Sequence, residues 1–368
     1  MCGPRRPGLG FPGDIRIVFY FMAMVEGPSL WRRLDLRRSA WLVCLVAILT
    51  VGVGAAAAVT GTPGELPLTV VARVPLSGPS VRFDYASLDP GSSRLYIAHM
   101  DANQLLVFDI GDRKIVRTLS APGVHGVIAV PQLDRVFASA TNERQVLTIN
   151  ATTDAVVARA PAGQYPDGLA YDPVERHVFV SDESGGVETV LNARGQRIAT
   201  IPLGGGAGNV QYDAGSRHVL VDVQTLDDVA VIDPKTNRII RRVAMPGCAN
   251  DHGLYVDSTR RLAFVACDQN ATLLTLDLRT MTVTGHASVG ESPDVLAFDT
   301  SLRRLYVSSE SGVVAVFAER AHGLHKLGQA FLAVEAHTVA VDSRSHLVYF
   351  PLQSGSTGAP QLLIMKPS

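Results

Sequence analysis

From about residue 66 onward the chain repeats one pattern of apolar and polar positions. Three or four apolar residues lead into an Asp-centred turn. Arg or His follows, and then an alternating β-branched and aromatic triplet. The copies read YASLDPGSSRLYIAH, VIAVPQLDRVFASA, LAYDPVERHVFVSD, VQYDAGSRHVLVDV, LYVDSTRRLAFVAC, LAFDTSLRRLYVSS and VAVDSRSHLVYFPL. Their turn residues are Asp89, Pro131, Asp172, Asp213, Asp257, Asp299 and Asp342, spaced by 42, 41, 41, 44, 42 and 43 positions. Seven copies at six near-equal spacings mark a repeat architecture.

Each repeat reads as four strands. Strand A is the apolar run before the turn, and an Asp followed by Pro, Gly or Ser closes a tight hairpin. Strand B is the triplet after it, such as residues 95–97 or 305–307. Strand C is the next apolar run, at 105–109, 228–233, 273–277 and 313–317. Strand D follows a second polar turn, at 114–119, 155–160 and 238–243. No helical period appears after residue 60. Four strands in about 43 residues is the signature of a propeller blade. The last repeat has a strand C at 361–365 and then ends, while an orphan strand at 68–74 precedes the first repeat. Together they complete one blade and leave no open edge. The expectation is an all-β, seven-bladed β-propeller of four-stranded antiparallel blades over residues 66–368, closed by an N-terminal outer strand.

Residues 1–58 break this pattern. Arg32, Arg33, Arg37 and Arg38 precede the apolar run at 40–58, which ends in alanines with Ala56 and Ala58 in an A-x-A arrangement. Basic, apolar and small-residue regions in that order are the parts of a secretory signal, with an uncleaved signal anchor as the competing reading. Residues 59–65 read as a linker, and Met22 or Met24 is a candidate start. The expected location is extracytoplasmic: periplasmic, secreted or cell surface. Contact with a membrane is expected only if the signal stays uncleaved. The excess of Arg over Lys, with abundant Ala, Gly and Val, resembles a high-GC bacterial coding bias.

Composition narrows the classes further. The chain has 368 residues, 47% of them hydrophobic, which suffices for a large core and excludes a disordered chain. Beyond residue 58 there remain 26 basic and 31 acidic residues, and that acidic balance argues against nucleic acid as a partner. A monomer is expected.

Both tryptophans, Trp31 and Trp41, lie in the leader, which disfavours Trp-patterned WD-repeat and quinone-binding propellers, and the double glycine of kelch blades is absent. The copies YPDGLAYDPVERHVFVSD at 165–182 and ESPDVLAFDTSLRRLYVSS at 291–309 resemble the blade pattern of the YVTN-family β-propellers. The resemblance covers residues 66–366. It implies an extracytoplasmic propeller with a binding or surface role, and related propellers include lactonases and metal enzymes. Blade 2 departs from the pattern, with Pro131 in place of Asp.

If strand A is innermost, the residue before it faces the mouth of the central channel. Five positions before each turn residue stand Asp84, Gly126, Asp167, Gly208, His252, Asp294 and His337, with His125, Asn209 and Asp251 beside them. Convergent Asp and His side chains are metal ligands, and a funnel of carboxylates concentrates cations. Two readings stand side by side. One is a solvated polar funnel whose Asp and His cap turns. The other is a site for a small polar ligand, a divalent metal or a protein partner, formed by Asp84, His125, Asp167, Asn209, Asp251, His252, Asp294 and His337. In that reading His125, His252 and His337 are the metal candidates. An enzymatic alternative is a lactonase-like or other metal-assisted hydrolase on the same ring. No nucleophile–base pair and no zinc-type spacing is visible, so the catalytic residues are not assigned.

His177, His218 and His346 occupy positions where other repeats have Arg before strand B, and read as structural; His99 is a weak mouth candidate. Cys248 and Cys267 flank Asp251 and His252 in one blade, and in an oxidising compartment they are expected to pair. Asn150-Ala-Thr and Asn270-Ala-Thr match the glycosylation sequon, read here as chance.

Overall fold

The structure is a computed structural model and describes residues 65–321 and 323–368. The leader, with its arginines, its apolar run and Ala56 and Ala58, lies outside the described residues, as do Cys2 and Cys44. Among the described residues no helix is long and apolar enough to cross a membrane.

Among the described residues the sheets are seven, each of four antiparallel strands in the order A-B-C-D. Blade 1 runs through Ala86–Asp89, Arg94–His99, Gln104–Asp109 and Lys114–Ser120. Blade 7 takes Ala340–Asp342, Leu347–Leu352 and Gln361–Pro367 from the C-terminus and Leu68–Pro75 from the N-terminus. The orphan strand therefore closes the ring, with Leu68 opposite Pro367 and Pro75 opposite Gln361. Consecutive strands A touch around the full circle, blade 7 meeting blade 1. Strand A is thus innermost, and strand D alternates exposed and half-buried residues at the rim.

The core lies between blades. Strand B supplies its largest side chains, with Tyr96, Phe137, Phe179, Phe264, Tyr306 and Tyr349 all fully buried at one repeat position. Alternation puts each aromatic on the face packed by a neighbouring blade, as where Tyr96 joins Val127, Val136 and Leu147 across blades 1 and 2. The A–B turns are built alike. The residue before strand B is left-handed in all seven blades (Ser93, Asp134, Arg176, Arg217, Arg261, Arg303 and His346), as in hairpins whose type I turn ends in a left-handed residue. His177 and His218 are first residues of strand B, whereas His346 sits one place earlier, inside the turn.

Candidate functional site at the channel mouth

Strand A begins in an irregularity in most blades. The ladder slips between Val124 and Val127, Pro166 and Leu169, Asp251 and Gly253, and Pro293 and Leu296. Such bulges re-aim side chains, here toward the channel end. The register also corrects the expectation for blade 2. Eight residues separate the first regular strand-A residue from the start of strand B in blade 3 (Leu169, His177), and Val127 and Arg135 match them in blade 2. The turn position is therefore Val130 rather than Pro131, and His125, not Gly126, takes the ring place. Gly126 is the next position, where a Cβ would run into the Asp167 carbonyl oxygen. The ring is Asp84, His125, Asp167, Gly208, His252, Asp294 and His337. Blade 4 alone presents no side chain, because a Cβ at Gly208 would press on the His252 backbone.

Asp84, His125, Asp167, His252 and Asp294 line a cavity of about 320 Å³ that also takes in Arg82, Tyr165, Glu183 and Glu310, while His337 lies behind its wall. His252 Nε2 lies 3.3 Å from Asp294 Oδ1, and His252 Nδ1 is 2.9 Å from Gln224 Oε1. The Gln224 amide in turn donates to Glu183, 3.2 Å away. Arg82 is 2.8 Å from Glu310 and 3.9 Å from Asp294 Oδ2. His125 Nδ1 is 2.8 Å from the Gly123 carbonyl oxygen, which can only accept, so Nδ1 carries the proton. Nε2 then accepts from the Tyr165 hydroxyl at 2.7 Å, with Asp84 Oδ2 3.8 Å away. By the same logic His337 Nε2 donates to the Phe83 carbonyl oxygen at 2.7 Å. That leaves Nδ1 as a buried lone pair without a partner, 3.9 Å from Asp294 Oδ2.

The electrostatics split the carboxyls. Burial raises Asp84 to about 7, helped by the Asp294 charge. Burial likewise raises Asp167 to about 7, with Glu183 and Asp294 adding to it against His252. Asp294 is buried too, but the His252 hydrogen bond and the charges of His252 and Arg82 outweigh burial and hold it near 2. His252 moves up to about 10: burial opposes the charge, and the Asp294 bond overrides it. Near neutral pH the mouth thus holds an Asp294–imidazolium pair beside two carboxyls poised to exchange protons.

The Tyr85 hydroxyl donates to Asn209 Oδ1 at 2.7 Å, from blade 1 to blade 4. Tyr85 borders both the polar cavity and a second one of about 310 Å³, whose lining includes Val127, Leu169, Leu254, Leu296 and Val339. This bar divides a charged cup from a shaft lined by uncharged side chains. Asn209 therefore belongs to the division, not to the cup. Asp251 lies off the cup as well: it is fully buried and raised mainly by burial, and its charge raises Asp222. His99 is stacked on Phe83, ring centroids 4.0 Å apart. Cys248 and Cys267 form a disulfide with Cα atoms 5.3 Å apart, and Cys267 is the ladder partner of Asp251.

Sequence reasoning missed Arg82, Tyr165, Glu183, Gln224 and Glu310. The signal was there. Arg82 and Tyr165 each stand two residues before a ring residue, and Glu183, Gln224 and Glu310 each follow strand B directly, on loops that share the mouth face.

No family model matches the chain, and no curated protein matches it. Among solved structures it is similar to a chain of Kuenenia stuttgartiensis hydrazine synthase, at 12% identity and a TM-score of 0.65, covering 80% of this chain and 95% of that one. It is also similar to a chain of the mitotic checkpoint complex, at 9% identity and a TM-score of 0.70, covering 87% and 98%. At such identities the likeness is one of fold, the β-propeller.

Proposed function

We propose that the chain is an extracytoplasmic, monomeric propeller of the YVTN type that binds a small polar ligand in the cup at its channel mouth. The observation that carries this reading is the chemistry of the cup. Five carboxyls (Asp84, Asp167, Glu183, Asp294 and Glu310) face only two cationic groups, Arg82 and His252, in a space floored by Tyr85. Asp167 Oδ1 there is buried without a hydrogen-bond partner, which is costly unless a ligand or water completes it. The excess of carboxyls favours a cation, an amine or a polyol over an anion. The basic and apolar leader and the Cys248–Cys267 pair support export.

Thermal unfolding of the purified chain with spermidine, glucose or Mn²⁺ tests the reading. A ligand of the native state raises the midpoint with concentration, and Asp167→Asn combined with Glu183→Gln reduces the rise. A midpoint indifferent to all three probes removes the reading.

A lactonase-like hydrolase is the second reading. Asp84 and Asp167, both near 7, have the proton affinity that general acid–base catalysis at neutral pH requires. Hydrolysis of a simple lactone, abolished by Asp167→Asn, would establish it.

A further inference from the structure

We infer that Asp84, Asp294 and His337 form a site for one divalent cation of the first transition row. This rests on the mouth-binding reading and names the ligand class. One carboxylate oxygen from each Asp and one His337 ring nitrogen lie within 4.8 Å of one another, and all three residues are buried. Ligand atoms of one ion at about 2.0 to 2.2 Å fall within such spans.

The second observation is the imidazole. His337 is 1% exposed, its Nε2–H is fixed on the Phe83 carbonyl, and its Nδ1 lone pair has no partner. A backbone carbonyl that fixes the far nitrogen is the outer-shell arrangement that orients ligating histidines. A packing histidine gains nothing from a buried, unpaired acceptor.

Ligand type sets the ion class. Two carboxylates and an imidazole suit Mn²⁺, Co²⁺ or Zn²⁺, whereas Ca²⁺ and Mg²⁺ favour all-oxygen shells. Three protein ligands on one side leave positions open toward the cup for water or an oxygen-bearing ligand. His125 and His252 stand outside this set, because their Nε2 atoms are engaged with Tyr165 and Asp294. Arg82, 3.9 Å from Asp294 Oδ2, competes with the ion and has Glu310 at 2.8 Å to retreat to.

Equilibrium dialysis of the chelator-stripped chain against Co²⁺, Mn²⁺, Zn²⁺, Ca²⁺ and Mg²⁺ tests the site, with the visible spectrum of Co²⁺ as a second readout. The expected result is one Co²⁺ per chain and binding of Ca²⁺ and Mg²⁺ at least tenfold weaker. His337→Gln and Asp84→Asn should each weaken Co²⁺ by about tenfold or more and shift its spectrum. Arg82→Gln should hold or tighten it. Circular dichroism of each variant separates lost ligation from lost fold, and Asp84→Asn conserves shape should His337→Gln not fold. The site is overturned if Ca²⁺ or Mg²⁺ binds as tightly as Co²⁺, or if folded His337→Gln binds Co²⁺ unchanged. It also falls if no ion binds while spermidine or glucose still raises the midpoint, an outcome that leaves the mouth-binding reading standing. If none of these probes binds, both fall.

Discussion

The two ends of strand A carry the same residue type to opposite effect. At the turn end, Asp213 accepts from the backbone N–H groups of Gly215 and Ser216, from the Ser216 hydroxyl and from Arg261. Asp89, Asp172, Asp257, Asp299 and Asp342 accept from the second or third following backbone amide in the same way. At the mouth end, Asp84 is raised and Asp167 keeps an orphan oxygen. Asp294 is the exception, because His252 holds it. A carboxylate whose lone pairs are spoken for by its own turn is part of the fold, whereas one buried without partners is a vacancy that a ligand can fill. Composition cannot separate these cases; counting partners can.

The contrast can be broken most forcefully at the turn end. Asp213→Ala removes a fully buried carboxylate from half-buried Arg261 and from two backbone amides, and should cost about 3 to 4 kcal/mol in chemical denaturation. Its acid behaviour has a definite sign. The folded-state value of Asp213 is lowered by Arg261 and Ser216 despite burial, so its contribution is present above the unfolded value of about 3.9 and is lost as pH falls below it. A loss under 1 kcal/mol would mean the turn network is decorative.

The disulfide probes the mouth end as a scaffold. Its cysteines are 19 positions apart, and opening such a loop should cost about 3 kcal/mol. Cys248→Ser with Cys267→Ser, or reduction of the native chain, measures it. An unchanged unfolding midpoint would show that Asp251 and His252 are held by the ladder alone.

Asp222 and Asp251 sharpen the rule away from the cup. Both are fully buried, and all four oxygens lack partners. Burial and the Asp251 charge push Asp222 up, and burial with the charges of Asp227 and Asp228 pushes Asp251 to about 8. Raised carboxyls bind more protons folded than unfolded, so this pair costs stability as pH rises from about 4 through 8. Asp222→Asn should gain roughly 2 kcal/mol at pH 9 and little at pH 4. Equal gains at both pH values would exclude a shared-proton pair.

What the sequence disclosed follows from these contrasts. The blades and their closure were legible because turn spacing and strand alternation are local signals repeated seven times. The ring was legible by arithmetic alone, except in blade 2. There Val130 replaces the turn Asp, and the count fell one residue late, on Gly126 instead of His125. Whether a ring carboxylate is satisfied was not legible, since His252 reaches Asp294 from the adjoining blade. Asp222 was hidden for a related reason. It occupies the strand-B position of Ser139, Ser181 and Ser308, where Ser139 bonds the Gly126 backbone, and nothing in one repeat reveals that the next brings Asp251 to it.

The finest test compares single carboxyls at the two ends by the sign of their pH slopes. Asp167 is nearly buried, and its value is raised to about 7, mainly by burial, with Glu183 and Asp294 adding repulsion against His252. The folded chain therefore holds this proton between about pH 4 and 7 while the unfolded chain has released it, and stability falls across that window. Asp213 gives the reverse, stability gained as pH rises past its folded value. Asp167→Asn deletes the penalty and keeps the shape. Water in the cup softens the burial term, so the gain should be only about 1 kcal/mol at pH 8, vanishing below pH 4. Denaturation of wild type and Asp167→Asn across that range reads it directly. If Asp167→Asn loses stability at pH 8, Asp167 is a satisfied structural carboxylate like Asp213, and the two ends of strand A do not differ in kind.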